Sequence, residues 1–480
     1  MAKNKQPNLA SVTTINEDGS HFKLHPSDVS GKFTAWRRVA AYLLILVYAG
    51  LPWIPINGQP AVFLDTANRQ FHLFGLTLAV QDLWVLFFLI SGLGFSLFFV
   101  TSLLGRIWCG WTCPYTVFLE HVFRRIERFV EGDAPARKKL DNAPLTASKI
   151  TKRVIKHGLY ILCATLIAHI FVSYFISLER FYGFIQEGPA NHRISFGVIA
   201  FLTLALYFCF AWFREQFCIV MCPYGRIQSA LSDDNTMVIG YDEIRGEPRG
   251  KASDPSNGDC IDCRRCVNVC PTGIDIRNGL QLECVGCAAC IDACDDIMKK
   301  IDRPTGLVRY DSHNGLNGKK QKILRPRIFA YCALMLLGAS AFGFTAFKKA
   351  RPFTAQVNKM AGMTYQKDNT GVRNVYQIRL FNKRNQEATF DITLKDAPEW
   401  LTMSGTTENI VLNPLEEKTY SLVVIAPAEK YDGKFTFTIQ VQSRNDDTTV
   451  ENEVRFLGPS PKLYRKNYLN KKPTEPNTEP

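Results

Sequence analysis

Histidine is scarce in this chain, with eight among 480 residues. His169 falls mid-way along one apolar run and His157 at its start, and no other such run carries a histidine near its middle. A membrane haem is held between histidines on facing helices, so the scarcity argues against one. Cysteine is missing altogether after Cys332, which excludes disulfide staples from the C-terminal part. The opening stretch, MAKNKQPNLASVTTINEDGS, lacks an apolar core and predicts no cleavable leader. Charge is missing from five long runs, at 39–56, 83–104, 158–178, 194–213 and 328–347. Each is about as long as a bilayer-crossing helix requires, and each is flanked by charge, which buried core helices would not need.

What charge there is sits unevenly. The net charge of +13 comes from basic residues clustered beside the apolar runs, which points to membrane orientation rather than to a nucleic-acid surface. The loop after the second run carries Arg106, Arg124, Arg125, Arg128, Arg137, Lys138, Lys139, Lys149, Lys152, Arg153 and Lys156. The loop after the first carries Arg69, and the loop after the third Arg180 and Arg193. The expectation is an N-terminus, a 105–157 loop and a 214–327 segment inside, with everything after Phe347 outside. Lys348, Lys349 and Arg351 weigh against this less than Lys319, Lys320, Lys322, Arg325 and Arg327 weigh for it.

Eight of the fifteen cysteines are packed between Cys260 and Cys294. Cys260, Cys263, Cys266 and Cys270 repeat as Cys284, Cys287, Cys290 and Cys294, with spacings of two, two and three residues. This is the bacterial ferredoxin run, in which the fourth cysteine of each motif serves the other cluster. It predicts one [4Fe–4S] cluster on Cys260, Cys263, Cys266 and Cys294, and a second on Cys270, Cys284, Cys287 and Cys290. Structural zinc would call for paired motifs on separate hairpins, and disulfides for an oxidising compartment. Asp295 stands where the first motif has Pro271, so the turn and the local charge differ between the two repeats.

A rarer motif, C-x3-C-P-Y, occurs twice, at Cys109 and Cys113 after the second run and at Cys218 and Cys222 after the fourth. It reads as an internal parallel repeat that brings both motifs to the inner face. Each precedes an amphipathic stretch, TVFLEHVFRRIERFV or GRIQSALS, with proline near the first turn. A helix N-terminus there would favour thiolate. Four such thiols suit Cu(I), zinc or another iron–sulfur centre, or form two redox-active dithiols. Cys163, Cys209 and Cys332, inside the runs, read as packing residues, and His121 as an interfacial side chain.

From about 355 to 458 the pattern changes to alternation: NVYQIRLFNK, ATFDITLKD, NIVLNP, KTYSLVVIAP, GKFTFTIQVQS and TTVENEVRFLG. These are strands of an all-β sandwich with no catalytic constellation, which reads as an interaction module. The domain plan is an N-terminal segment 1–36, four membrane helices in 37–213, a cluster-binding domain in 214–326, a fifth helix at 327–348, a sandwich at 353–458 and a disordered tail at 459–480.

The segments GRIWCGWTCPYTVF, REQFCIVMCPYGRIQS and GDCIDCRRCVNVCPTGIDIRNGLQLECVGCAACIDAC, in this order with five runs and an outer sandwich, resemble the CcoG/FixG family of cytochrome c oxidase accessory proteins. The resemblance covers nearly the whole chain. It implies a multi-domain inner-membrane protein: a five-helix transmembrane bundle, a cytoplasmic α+β ferredoxin domain with two [4Fe–4S] clusters, and a periplasmic immunoglobulin-like sandwich. It implies a metalloreductase that converts Cu(II) to Cu(I) for cbb3-type oxidase assembly, with copper-handling proteins as partners and a donor that no motif identifies. Cys109, Cys113, Cys218 and Cys222 then become copper-contacting or relay thiols. NapH/NosR-type membrane ferredoxins, which pass electrons from quinol to a periplasmic enzyme, also carry paired C-x3-C-P motifs. A copper-binding assembly scaffold with structural clusters is a third reading.

Overall fold

The computed structural model describes residues 23–465, apart from positions 68, 80, 81, 83, 282, 350, 361, 363 and 369. The polar opening stretch and most of the expected C-terminal tail lie outside the described residues. The chain divides into two compact units, Met1–Ala346 and Phe347–Pro480.

Among the described residues, five helices are long and apolar enough to cross a membrane: Lys32–Trp53, Trp84–Leu104, Ala147–Ser173, Arg193–Phe213 and Pro326–Phe347. Their surfaces are lined with large exposed side chains such as Leu46, Phe87, Phe201 and Leu337. Side chains of this kind are stable facing lipid and costly facing water. The third helix begins eleven residues before the apolar run that predicted it, at Ala147 rather than 158. Its first turns carry Lys149, Lys152, Arg153 and Lys156, which the apolar criterion skipped. The helix continues because Thr146 caps it, accepting from Lys149 N at 3.3 Å, and because its charges find partners.

The helices hold one another by few but close contacts. Tyr48 on the first donates to the Ile167 carbonyl on the third at 3.0 Å, and Tyr174 returns a bond to the Tyr48 carbonyl at 2.7 Å. Gly92 and Gly338 bring the second and fifth backbones together; a Cβ on Gly338 would lie 2.8 Å from the Gly92 Cα. Between the first two helices stand two short antiparallel sheets, one pairing Pro55–Ile56 with Gln59–Pro60, the other Val62–Asp65, Gln70–Leu73 and Leu76–Ala79. Asn57 and Gly58, both at positive φ, make the tight turn of the first.

Residues 238–311 are clasped by one antiparallel strand pair, Val238–Tyr241 with Val308–Asp311. The segment between holds the short helix Arg265–Asn268 and the longer Ala289–Lys300. It docks on the membrane helices through Asp292, which accepts from Thr34 N and Thr34 Oγ1, both at 2.7 Å, and so caps the first of them.

The second unit is a sandwich of antiparallel strands. One sheet runs Thr402–Ser404, Glu417–Pro427, Gly371–Asn382, Phe353–Lys359, with Gln366–Lys367 beside Gly371–Asn382. The other runs Ile410–Leu412, Ala388–Lys395, Phe435–Ser443, Thr449–Phe456. All six alternating segments of the sequence are strands here, and alternate residues such as Ile378, Leu380, Phe437 and Ile439 fill the core. Buried Asn374 ties strand ends together, donating to the Leu457 carbonyl at 2.7 Å and accepting from Leu457 N at 3.0 Å.

Substituting Gly338→Leu forces the second and fifth helices apart. It should cost about 1–3 kcal/mol, read as earlier unfolding of the full chain in an SDS titration; an unchanged transition would show that this crossing carries no weight.

Candidate iron–sulfur and thiol site

The eight clustered cysteines face two separate cavities. One, enclosing ≈ 360 Å³, is lined by Cys260, Cys263, Cys266 and Cys294 together with apolar Ile261, Ile297, Met298, Leu307 and Val308. The other, ≈ 320 Å³, is lined by Cys270, Cys284, Cys287 and Cys290 with Ile239, Ile274, Ile276 and Val285, and Cys266 reaches it too. Cys294 thus lines the same cavity as Cys260, Cys263 and Cys266, and Cys270 the same cavity as Cys284, Cys287 and Cys290. Cys290 and Cys294 sit one turn apart on the same helix, a rise of about 6 Å, and each serves a different cavity.

The local backbone explains how three thiols turn to one point. Asp262 and Arg264 in the first repeat, and Gly286 and Ala288 in the second, all have positive φ, between 52° and 66°. These left-handed residues alternate with ordinary ones between the cysteines, curling the loop and turning its amide groups inward. After the third cysteine the repeats part. Pro271 stops the first short helix, whereas Asp295 lets the second run on to Lys300 and accepts from Gly306 N at 2.9 Å. The first cavity has Arg264 and Arg277 in its wall, whereas Arg106 and Arg37 act on Cys284 and Cys287 of the second without lining it, so basic residues are placed differently around the two.

Burial pushes the Cys266, Cys284 and Cys294 thiols up to about 12. Such thiolates are stable only beside a cation. Four soft donors around an apolar cavity fit a [4Fe–4S] cluster. Among the described residues, no three Cys, His, Asp or Glu side chains are grouped closely enough to hold a single metal ion, the four C-x3-C-P-Y cysteines included.

The two C-x3-C-P-Y motifs lie near one another. Cys109, Cys113, Cys218 and Cys222 lie close enough for their charges to interact, with Arg106 beside them. Cys109 belongs to the same apolar core as Cys260, Cys266, Cys287 and Cys290. Its short helix, Ile107–Trp111, lies against the cluster loop, and a Cβ on Gly110 would stand 2.8 Å from the Cys287 Cα. Trp111 donates to Tyr310 at 3.2 Å, and Tyr310 to the Gly286 carbonyl at 2.7 Å.

The repeat is visible in detail. Gly105 and Arg214, each four residues before the first cysteine of a motif, share a positive φ, 56° and 47°. Each motif's tyrosine crosses to the other half: Tyr115 donates to the Cys209 carbonyl at 2.9 Å, and Tyr224 pairs with Thr101 Oγ1 at 2.5 Å. Pro114 and Pro223 each open a helix, and Cys113 and Cys222 are the residues that cap them. Cys109 lies inside a helix and Cys218 inside a π-helical turn, and burial pushes both up to about 12. Cys163, Cys209 and Cys332 are half-buried in the membrane helices. His121 is half-buried among Arg37, Arg38 and Arg125.

Composition and spacing did not disclose the buried ion network behind these motifs. Glu127 accepts from Arg214 through both oxygens, at 2.9 and 3.3 Å, and from Arg137 at 3.2 Å. Arg124 pairs with Glu120, donates to Glu215 at 2.9 Å and reaches the Pro271 carbonyl at 3.0 Å. Lys156 pairs with Glu131 at 2.9 Å. Only the Glu–x3–Arg–x2–Glu–x3–Glu spacing from Glu120 to Glu131, along one helix, hinted at it.

Burial alone would push the Glu127 carboxyl up, but Arg214 and the neighbouring cations outweigh it and hold it well below the usual range. A lowered native value means its stabilisation is complete above the unfolded value of about 4.3 and is lost as the pH falls through the native one. Glu127→Gln should therefore cost about 3–5 kcal/mol at neutral pH by removing the buried carboxylate that Arg214 and Arg137 share, Arg214 keeping Glu215 at 3.6 Å, and should flatten the acid limb of the stability curve. Equal acid limbs would refute this.

A family model described as a 4Fe-4S dicluster domain matches residues 213–313, a 4Fe-4S binding domain matches 83–132, and the IG-like fold at the C-terminal of FixG matches 343–459. The chain is 32% identical to the nitrogen fixation protein FixG of Rhizobium meliloti, over 78% of this chain and 80% of that one. It is 35% identical to protein RdxB of Cereibacter sphaeroides, over 83% and 88% of the two chains. It is 22% identical to the ferredoxin-type protein NapH of Haemophilus influenzae, over 60% of this chain and 93% of NapH. Five apolar helices, two cysteine-lined cavities and an immunoglobulin-like sandwich thus accompany sequence identity along most of the length, and the chain belongs to the FixG family of membrane iron–sulfur electron-transfer proteins.

Proposed function

We propose that the protein reduces Cu(II) to Cu(I) at the four C-x3-C-P thiols and hands the product on toward assembly of a cbb3-type oxidase. The observation that carries this is the convergence of Cys109, Cys113, Cys218 and Cys222 next to the core that holds the cluster cysteines. In this reading Cys260, Cys263, Cys266 and Cys294 hold one [4Fe–4S] cluster and Cys270, Cys284, Cys287 and Cys290 the other. When bound, the clusters supply single electrons, which is what the change from Cu(II) to Cu(I) consumes.

The chain's own residues do the rest. The four thiols offer soft ligands, which stabilise Cu(I) over Cu(II) and so favour the reduced product. Tyr115 and Tyr224 lock the two halves so that the thiols stay together. The Arg106 guanidinium beside Cys109 and Cys218 offsets thiolate charge when no metal ion is bound. The concentration of basic residues between 105 and 157 supports an inner-face location for this site and a periplasmic location for the sandwich.

A second reading places a further iron–sulfur centre on the same four thiols, and the match of a 4Fe-4S binding domain to 83–132, around Cys109 and Cys113, favours it. The double substitution Cys109→Ser, Cys222→Ser separates the two. It should abolish copper reduction, followed with a Cu(I) chelator, while iron content and cluster spectra stay unchanged. Unchanged reduction would contradict the proposal, and a loss of iron would favour the second reading.

A further inference from the structure

A third cavity, ≈ 660 Å³, opens beside the second cysteine quartet and has no part in the reading above. Its wall contains Arg37, Arg38, Arg124, Arg125, Arg128 and Arg137, against the carboxylates of Asp28 and Glu120. The charges are unevenly spent. Arg124 is committed to Glu120 and Glu215, and Arg137 to Glu127. Arg128 pairs with Asp28 at 2.5 Å, whereas Arg125 stands 3.9 Å from the same carboxylate. Among the described residues, Arg37 and Arg38 have no carboxylate within ion-pair distance, although Arg37 lies near enough to act on Glu120 and on the Cys287 thiol.

Arg37 is the informative member. It is 5% exposed, its Nε donates to the Gly110 carbonyl at 2.9 Å, and its Nη2 is buried with no hydrogen-bond partner among the described residues. Arg38 Nε and the His121 Nδ1 beside it are likewise buried without partners among the described residues. A buried guanidinium donor without an acceptor is costly, and a native fold retains one where something else supplies the acceptor. Several planar forks around one hollow are the arrangement that matches the oxygens of a phosphate group.

We propose that this cavity binds a phosphate group, with Arg37, Arg38 and Arg125 as its principal donors. The group is either the headgroup of an acidic phospholipid, reached from the inner end of the first membrane helix, or the phosphate of a soluble ester. Pro271 and Ala289, which also line the cavity, adjoin Cys270 and Cys290 in sequence, so a bound dianion would lie against the loops of the second quartet.

The test titrates inorganic phosphate into the full chain in nanodiscs of phosphatidylcholine, with and without phosphatidylglycerol, for the native protein, Arg37→Gln and Arg125→Gln. Saturable binding in phosphatidylcholine that weakens about tenfold or more in a variant, as loss of a charge-assisted bond requires, supports the site. Suppression of that binding by phosphatidylglycerol identifies a lipid headgroup; persistence identifies a soluble phosphate. Arg125, half-buried at the rim, keeps the test decisive if Arg37→Gln does not fold, and cysteine-bound iron reports folding in each variant. No saturable binding in phosphatidylcholine, or equal binding by both folded variants and the native chain, overturns the proposal.

Discussion

A buried sulfur anion cannot stand alone. Eight cysteine side chains turned into two apolar cavities, with four more close by, make up a core in which every thiolate needs a cation. Much of the surrounding architecture meets that need. Left-handed residues curl the loops so that sulfurs converge. Apolar side chains make up much of the cavity walls, and Arg106 and Arg277 supply nearby positive charge. Folding and metal loading are therefore expected to be coupled.

The membrane helices hold the second set of thiols with a different device. Each half sends its tyrosine and one end of its ion network into the other half. Tyr115 and Arg124 cross to the fourth helix end and its following loop, and Tyr224 crosses to the second. Arg214 illustrates how this is stabilised: a non-glycine residue at φ 47°, it breaks its helix just before the Cys218 motif and is held there by both oxygens of Glu127. The same chain segment thus ends a membrane helix, fixes a thiol and joins the two halves. Because Arg124 also reaches the Pro271 carbonyl, the network extends to the cluster loop itself.

Much of this was legible in the residues. Regular cysteine spacing determines which sulfurs share a cavity, because the short intervals leave the loop few ways to curl. Charge-free runs mark the membrane helices, and strict alternation marks six strands of the sandwich. The rest fails for identifiable reasons. The third helix begins early because paired lysines and arginines interrupt hydropathy without interrupting a helix. The small sheets after the first helix have strands of two to four residues, too short for periodicity to show, although Asn57–Gly58 is a hairpin signal in itself. The ion network and the arginine-lined cavity join residues far apart in the chain, such as Glu127 with Arg214 and Arg37 with Arg125, and long-range pairing leaves no local pattern to read.

The central claim is that two cysteine quartets hold clusters while the four converging thiols stay open to a passing soft cation. Iron and acid-labile sulfide, counted on anaerobically purified full-length protein together with the EPR spectrum of its reduced state, test it most directly. The account predicts about eight iron and eight sulfide per chain, with signals from two reduced [4Fe–4S] clusters. About twelve iron would put a third cluster on Cys109, Cys113, Cys218 and Cys222, and iron-free protein that remains folded would contradict the account as a whole.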